Sequence, residues 1–208
     1  MTESPIPYLA SVRWYAAYVS ALLEGKERAP RLPAHFNRTE VLAPFGLRQL
    51  SVPIEGGRRI ISPRRYEELQ LSEHGGWRHT HWQTITSAYG SAPYFHYMED
   101  RFRAIYERRY DLLGTLCREL HRAVCDSMRL DEAIEGLRSL PDPAAAKGRT
   151  VALPSPEISI LHLLFYGGTE SVFTLLRFNS ETGSPSMPDS GSGSESLLKT
   201  DSLLETKA

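Results

Sequence analysis

The chain has 208 residues, 41% of them hydrophobic and 24% charged, with 24 Lys and Arg against 25 Asp and Glu for a formal net charge of -1. That length accommodates one domain with a real core and excludes two full-sized ones. The charge balance excludes strong electrostatic steering to nucleic acid, and no run approaches the roughly 18 apolar residues of a membrane span.

The N-terminal Met1 to Pro7 lacks a basic region followed by an apolar run, so no secretory signal is read there and the cytoplasm is the expected location. From Ile6 to Leu23, Trp14, Tyr15, Tyr18, Val19, Leu22 and Leu23 recur at helical spacing after a proline-marked turn. Between Phe36 and Ile61, short apolar pieces separated by Gly46 and by Gly56-Gly57 predict two or three strands. Trp77, His81, Ile85 and Tyr89 fall four apart and predict an amphipathic helix from Trp77 to Tyr89. The stretch from Tyr94 to Leu137 carries Phe102, Tyr106, Leu113, Leu116, Leu120, Val124 and Met128, which predicts one long helix, or two joined near Gly114.

Cys117 and Cys125 lie in that segment. Eight residues of helix separate them by about 12 Å, too far for a disulfide, and both read as core thiols. Pro141 to Pro156 is a linker, Ile158 to Tyr166 an apolar helix ending at Gly167-Gly168, and Glu170 to Leu176 a second apolar run. The expected organisation is one globular domain over residues 1–178 and a disordered Ser/Gly-rich tail over 179–208, in which Ser196-Leu-Leu-Lys-Thr and Ser202-Leu-Leu-Glu-Thr are near copies. The fold class is α/β or α+β, a small N-terminal sheet packed against a long C-terminal helical segment.

The most unusual local feature is His74-Gly-Gly-Trp-Arg-His-Thr-His-Trp. On a helix, His79 and His81 point about 200° apart, which disfavours a shared metal, and no metal site is assigned. His81 shares its face with Trp77, Ile85 and Tyr89, so it is either a core histidine bonded to a carbonyl or a partly buried group that takes a proton from a substrate. Arg38 either offers its planar fork to an anion or pairs with a carboxylate such as Glu40. Arg78, between Trp77 and Trp82, has the same choice of gripping an anion or stacking on a ring. Tyr89, Tyr94, Phe95 and Tyr97 form an aromatic cluster that suits a sugar site or an ordinary core. Phosphate-loop, dinucleotide, nucleophile-elbow and calcium-loop motifs are absent, and no cofactor is assigned.

Tyr8-Leu9 to Trp14-Tyr15, Phe36-Asn37-Arg38, Leu50-Ser-Val-Pro-Ile, Gly76-Trp77-Arg78 with His81-Trp82, Ala88-Tyr89, Pro93-Tyr94-Phe95 and Ser159-Ile-Leu-His-Leu-Leu-Phe occur in this order. Together they resemble the bacterial WbqC-like family over residues 7–176. The resemblance implies genes for surface polysaccharide such as O-antigen, and a sugar or nucleotide-sugar partner. It nominates Tyr8, Asn37, Arg38, Trp77, His81 and Tyr89 as site residues. The resemblance fixes no reaction; the reading taken from the residues is an enzyme that modifies a sugar by group transfer to an amino sugar, with His81 as the proton acceptor, Arg38 and Arg78 holding an anionic group and Tyr89 orienting the sugar. Two departures stand out: His162 takes the place of an expected aspartate, and Glu24 to Ala34 lacks an aromatic-rich strand. A non-catalytic binder of the same pathway is the alternative, and the oligomeric state is open.

Overall fold

A computed structural model describes residues 5–26, 29–56 and 63–182. It is an α+β fold: a two-stranded antiparallel sheet in the N-terminal half, set among helices.

Helix α1, Val12–Leu23, begins where Ser11 accepts a hydrogen bond from Trp14 N at 3.3 Å, one of the donors a helix start leaves unpaired. Strands β1, Arg38–Ala43, and β2, Gly46–Ser51, pair with Arg38 opposite Ser51 and Ala43 opposite Gly46, leaving Pro44-Phe45 as the two-residue tip. Arg59-Ile-Ile, the third expected strand, lies outside the described residues.

Helix α2, Trp77–Tyr89, coincides with the predicted element and buries Trp77, His81, Ile85 and Tyr89. Gly75 and Gly76, at φ 77° and 57°, turn the chain into it through the left-handed region, which costs a glycine little. The single long helix expected from Tyr94 to Leu137 is three: α3 Phe95–Glu107, α4 Leu113–Met128 and α5 Leu130–Arg138, and Gly114 sits inside α4 rather than at a joint. The first break is tertiary. Residues 69–71 cross the chain there, with Leu71 N donating to Asp111 O at 2.8 Å and Leu113 N to Leu69 O at 2.9 Å, so backbone groups that a helix would use are taken by a bridge. The second is Arg129, left-handed at φ 50°.

Helix α6, Ile160–Gly167, is buried on nearly every side, the mark of a central helix. Burying each of Leu161, Leu163, Leu164 and Phe165 contributes about 1.5–3 kcal/mol. It stops at Gly168, φ 58°, where a Cβ would come within 2.8 Å of the Tyr94 ring. Helix α7, Ser171–Thr182, packs on α1, and Asn179 Nδ2 donates to Ala16 O at 2.6 Å. Residues 179–182 of the expected tail are thus helical, and the remainder of that tail lies outside the described residues. Cys117 and Cys125 are free thiols, the first buried and the second partly so. No helix among the described residues is long and apolar enough to cross a membrane.

Three distant segments meet at the centre. Leu9 O accepts hydrogen bonds from Thr39 Oγ1 at 2.8 Å and Ser159 Oγ at 3.3 Å, Ser159 N donates to Glu40 O at 2.8 Å, and Ile160 N to Ala10 O at 3.0 Å. Leu9 itself is held at φ 40°, a strained value for a side-chain-bearing residue, which only such surrounding bonds sustain.

Candidate functional site

His81 is 5% exposed on the inner face of α2, with the Trp77 ring edge-on at 5.2 Å. Its Nδ1 lies 2.9 Å from the Tyr8 hydroxyl, which in turn meets the Tyr106 hydroxyl at 2.5 Å. The loop carrying Tyr8 is fixed by its own amide, which donates to Phe36 O at 2.7 Å, and by the Leu9 carbonyl bonds that follow. Burial pushes the His81 pKa down to about 4. Burial also raises both tyrosines well above the usual phenol value, so all three groups are neutral at pH 7. An imidazole with so low a pKa is a weak base, poorly matched to removing a proton near neutrality.

The ring's other nitrogen, Nε2, has no protein partner among the described residues and is not a fully buried atom. His81 lines a hollow of about 510 Å³ between α2 and the hairpin. Its walls carry Phe45, Arg48, Gln49, Gln83 and Thr84. Phe45, at the hairpin tip, is 93% exposed, and Arg48 has no ion pair among the described residues. A bare ring, a guanidinium without an ion pair and several amide and hydroxyl groups surround one neutral histidine, groups that can stack on a flat apolar face and bond hydroxyl or anionic oxygens.

The other nominated residues divide sharply. Trp77 packs edge-on behind His81 but does not line its hollow, and its Nε1 donates to Ser72 O at 2.9 Å. Arg78 does not reach the hollow. It lies over the Trp77 ring at 4.9 Å, is ion-paired to Glu73 through both carboxylate oxygens, and donates to Tyr110 O at 3.3 Å, so its charge is committed. It lines instead a second hollow of about 340 Å³ on the other flank of α2, with Trp82, Tyr106 and Arg109.

Arg38 faces away. Strand alternation puts Arg38 on the face of β1 opposite the buried Thr39 and Val41, and Arg38 lines neither hollow beside α2. It forms no ion pair with Glu40, and its Nε is buried without a partner. Asn37 closes the hairpin base, its Nδ2 donating to Val52 O at 2.9 Å. Tyr89 covers the free edge of β1, its hydroxyl accepting from Leu42 N at 3.2 Å, and its ring packs edge-on against His162 and at a tilt on Phe165. His162 Nε2 sits 3.3 Å from Ala152 O, and burial lowers its pKa.

A hollow of about 550 Å³ between α5 and α7 is slightly larger, lined by Leu137, Leu140, Val172 and Phe173. None of the buried polar side chains lines it, so size alone does not mark the site. Sequence reading passed over Tyr106, hidden in an apolar stripe, and the hairpin-tip residues. Pro44-Phe45-Gly46, a bulky ring inside a turn signal, was the available clue.

Fold and site define an α+β protein whose central Tyr–His pair opens beneath a β-hairpin tip. The WbqC-like family model matches residues 33–154, more than half of the chain, and the chain belongs to that family. Asn37, Arg38, Trp77, Arg78, His81, Tyr89 and Tyr106 fall inside the match, whereas Tyr8 and His162 lie outside it. No curated protein and no solved structure matches the chain.

Proposed function

We propose that the protein takes a sugar or nucleotide-sugar into the hollow beneath the hairpin tip and modifies it, by group transfer, in the assembly of bacterial surface polysaccharide. The observation that carries this is the composition of the hollow around His81. Phe45 offers a ring face to the apolar side of a sugar, Gln49, Gln83 and Thr84 offer hydrogen bonds to hydroxyls, and Arg48 offers a fork to a phosphate or carboxylate. Family membership fits a protein of this class.

The test is calorimetric titration of the purified chain with a panel of nucleotide sugars, with product analysis on each mixture. Binding that Arg48→Ala weakens at least tenfold, with product formation lost in His81→Ala, is the expected result. Absence of binding to every member overturns the reading. Binding with no product from any acceptor supports the second reading, a non-catalytic binder of the same pathway. The low basicity of His81 and the histidine at position 162 favour that alternative.

A further inference from the structure

We infer that Tyr8 and Tyr106 hold His81 in its Nε2–H tautomer, so that the hollow meets a neutral hydrogen-bond donor and the ligand must place an acceptor oxygen there. The three groups form one line, Tyr106 hydroxyl to Tyr8 hydroxyl to His81 Nδ1, at 2.5 Å and 2.9 Å. Each phenol has one hydrogen and the neutral imidazole has one.

Three orders are possible, and the one in which Nδ1–H and Tyr106 both donate to Tyr8 leaves the buried Tyr8 hydrogen without an acceptor, so two remain to be weighed. In the first, Tyr106 donates to Tyr8, Tyr8 donates to Nδ1, and the ring hydrogen sits on Nε2. Both phenol hydrogens then have acceptors inside the protein. In the second, Nδ1–H donates to Tyr8 and Tyr8 donates to Tyr106. The Tyr106 hydrogen is then left over, for its hydroxyl has no second partner among the described residues and its side chain is 4% exposed. A buried hydroxyl hydrogen without an acceptor is penalised more heavily than an unused oxygen lone pair. The first order therefore dominates, and Tyr8, which lines no part of the hollow where His81 opens, acts as the positioning residue for the ring.

A donor at Nε2 selects among ligands. A phosphoryl, carboxylate, carbonyl or hydroxyl oxygen satisfies it, whereas a protonated amine, which has only hydrogens to offer, does not. Proton removal from an amino sugar by Nε2 is likewise excluded in this state, because the lone pair a base needs is already occupied. The proton count stands without the sugar assignment; only the ligand chemistry rests on the hollow being the site.

The experiment is a long-range proton–nitrogen correlation spectrum of the full chain carrying nitrogen-15 histidine, near pH 7 and without ligand, with His81 assigned by through-bond connection to its backbone. The expected pattern is the Nε2–H tautomer, in excess over Nδ1–H by roughly tenfold or more. A dominant Nδ1–H pattern overturns the inference. Tyr106→Phe leaves the buried Tyr8 hydroxyl with Nδ1 as its one acceptor, so the Nε2–H tautomer is expected to stay dominant there, and a turn to the Nδ1–H pattern in that variant overturns the proton count. The wild-type spectrum needs no variant, so it decides even where Tyr106→Phe fails to fold, and because no ligand is used, a failed sugar titration leaves it standing.

Discussion

Among the described residues, two histidines have Nδ1 bonded to a tyrosine hydroxyl, His81 buried and His121 partly so, and the pairs differ in what lies behind and before the imidazole. Tyr15 hydroxyl meets His121 Nδ1 at 2.9 Å, the same distance as Tyr8 to His81, and burial drives both histidines down to about 4. His121 is enclosed by Trp14, Tyr15 and Tyr18, and its Nε2 lies 3.5 Å from the Cys125 sulfur, a thiol that burial pushes up to about 12 and so keeps protonated. His121 lines none of the hollows described above, whereas the second nitrogen of His81 is left to the hollow under the hairpin. A tyrosine-bonded histidine with a lowered pKa is thus a packing device in one place and a candidate site in the other. The free ring nitrogen, and not the shift, separates them.

The comparison breaks most sharply under substitution of the two imidazoles. His81→Ala, which removes the Nε2–H donor from the hollow, is expected to lower product formation by a hundredfold or more, while His121→Ala leaves it intact and lowers unfolding stability by about 2–4 kcal/mol in urea titration. Equal loss of activity in both variants would erase the distinction. Next comes pH. Each histidine has a folded pKa below the usual 6.5, so each contributes stability that is complete above about 6.5 and is lost as pH falls toward 4, when the unfolded chain takes up a proton that the folded chain refuses. The expected loss is on the order of 2 kcal/mol for each, and thermal melts at pH 7 and pH 4.5 of wild type and of His121→Ala measure the share that belongs to His121. Tyr89→Phe takes the acceptor from Leu42 N–H at the β1 edge and should cost about 1–2 kcal/mol of stability with ligand affinity unchanged. Smallest in its effect on the fold, Phe45→Ala should leave the melting midpoint within a degree or so, since the ring is 93% exposed, yet weaken nucleotide-sugar binding roughly tenfold.

How far the site was legible follows from which rule each residue obeys. The i, i+4 recurrence of Trp77, His81, Ile85 and Tyr89 is a local signal, and it delivered both the helix and the burial of His81. Arg38 illustrates the opposite case. Which face of Arg38-Thr-Glu-Val-Leu-Ala turns inward depends on Thr39, a polar residue that is buried because its hydroxyl reaches Leu9 O thirty positions away. Nothing within the strand announces that partner. The break between α3 and α4 is equally silent, since Arg108 to Leu112 contains neither proline nor glycine and yields only to a bridge with Gln70. Tyr106 reads as one more apolar position until Tyr8, 98 residues away in sequence, supplies its hydroxyl partner.

The carbonyl of Leu9 carries a consequence for how the molecule comes into being. It is clasped by Thr39, 30 residues downstream, and by Ser159, 150 residues downstream. During vectorial synthesis Tyr8 and His81 emerge early, but the clasp that seats the Tyr8 loop has to wait for Ser159 to clear the ribosome. Long-range closures of this kind are slow steps in folding, so a nascent or prematurely terminated chain carries both members of the pair without yet owning a site.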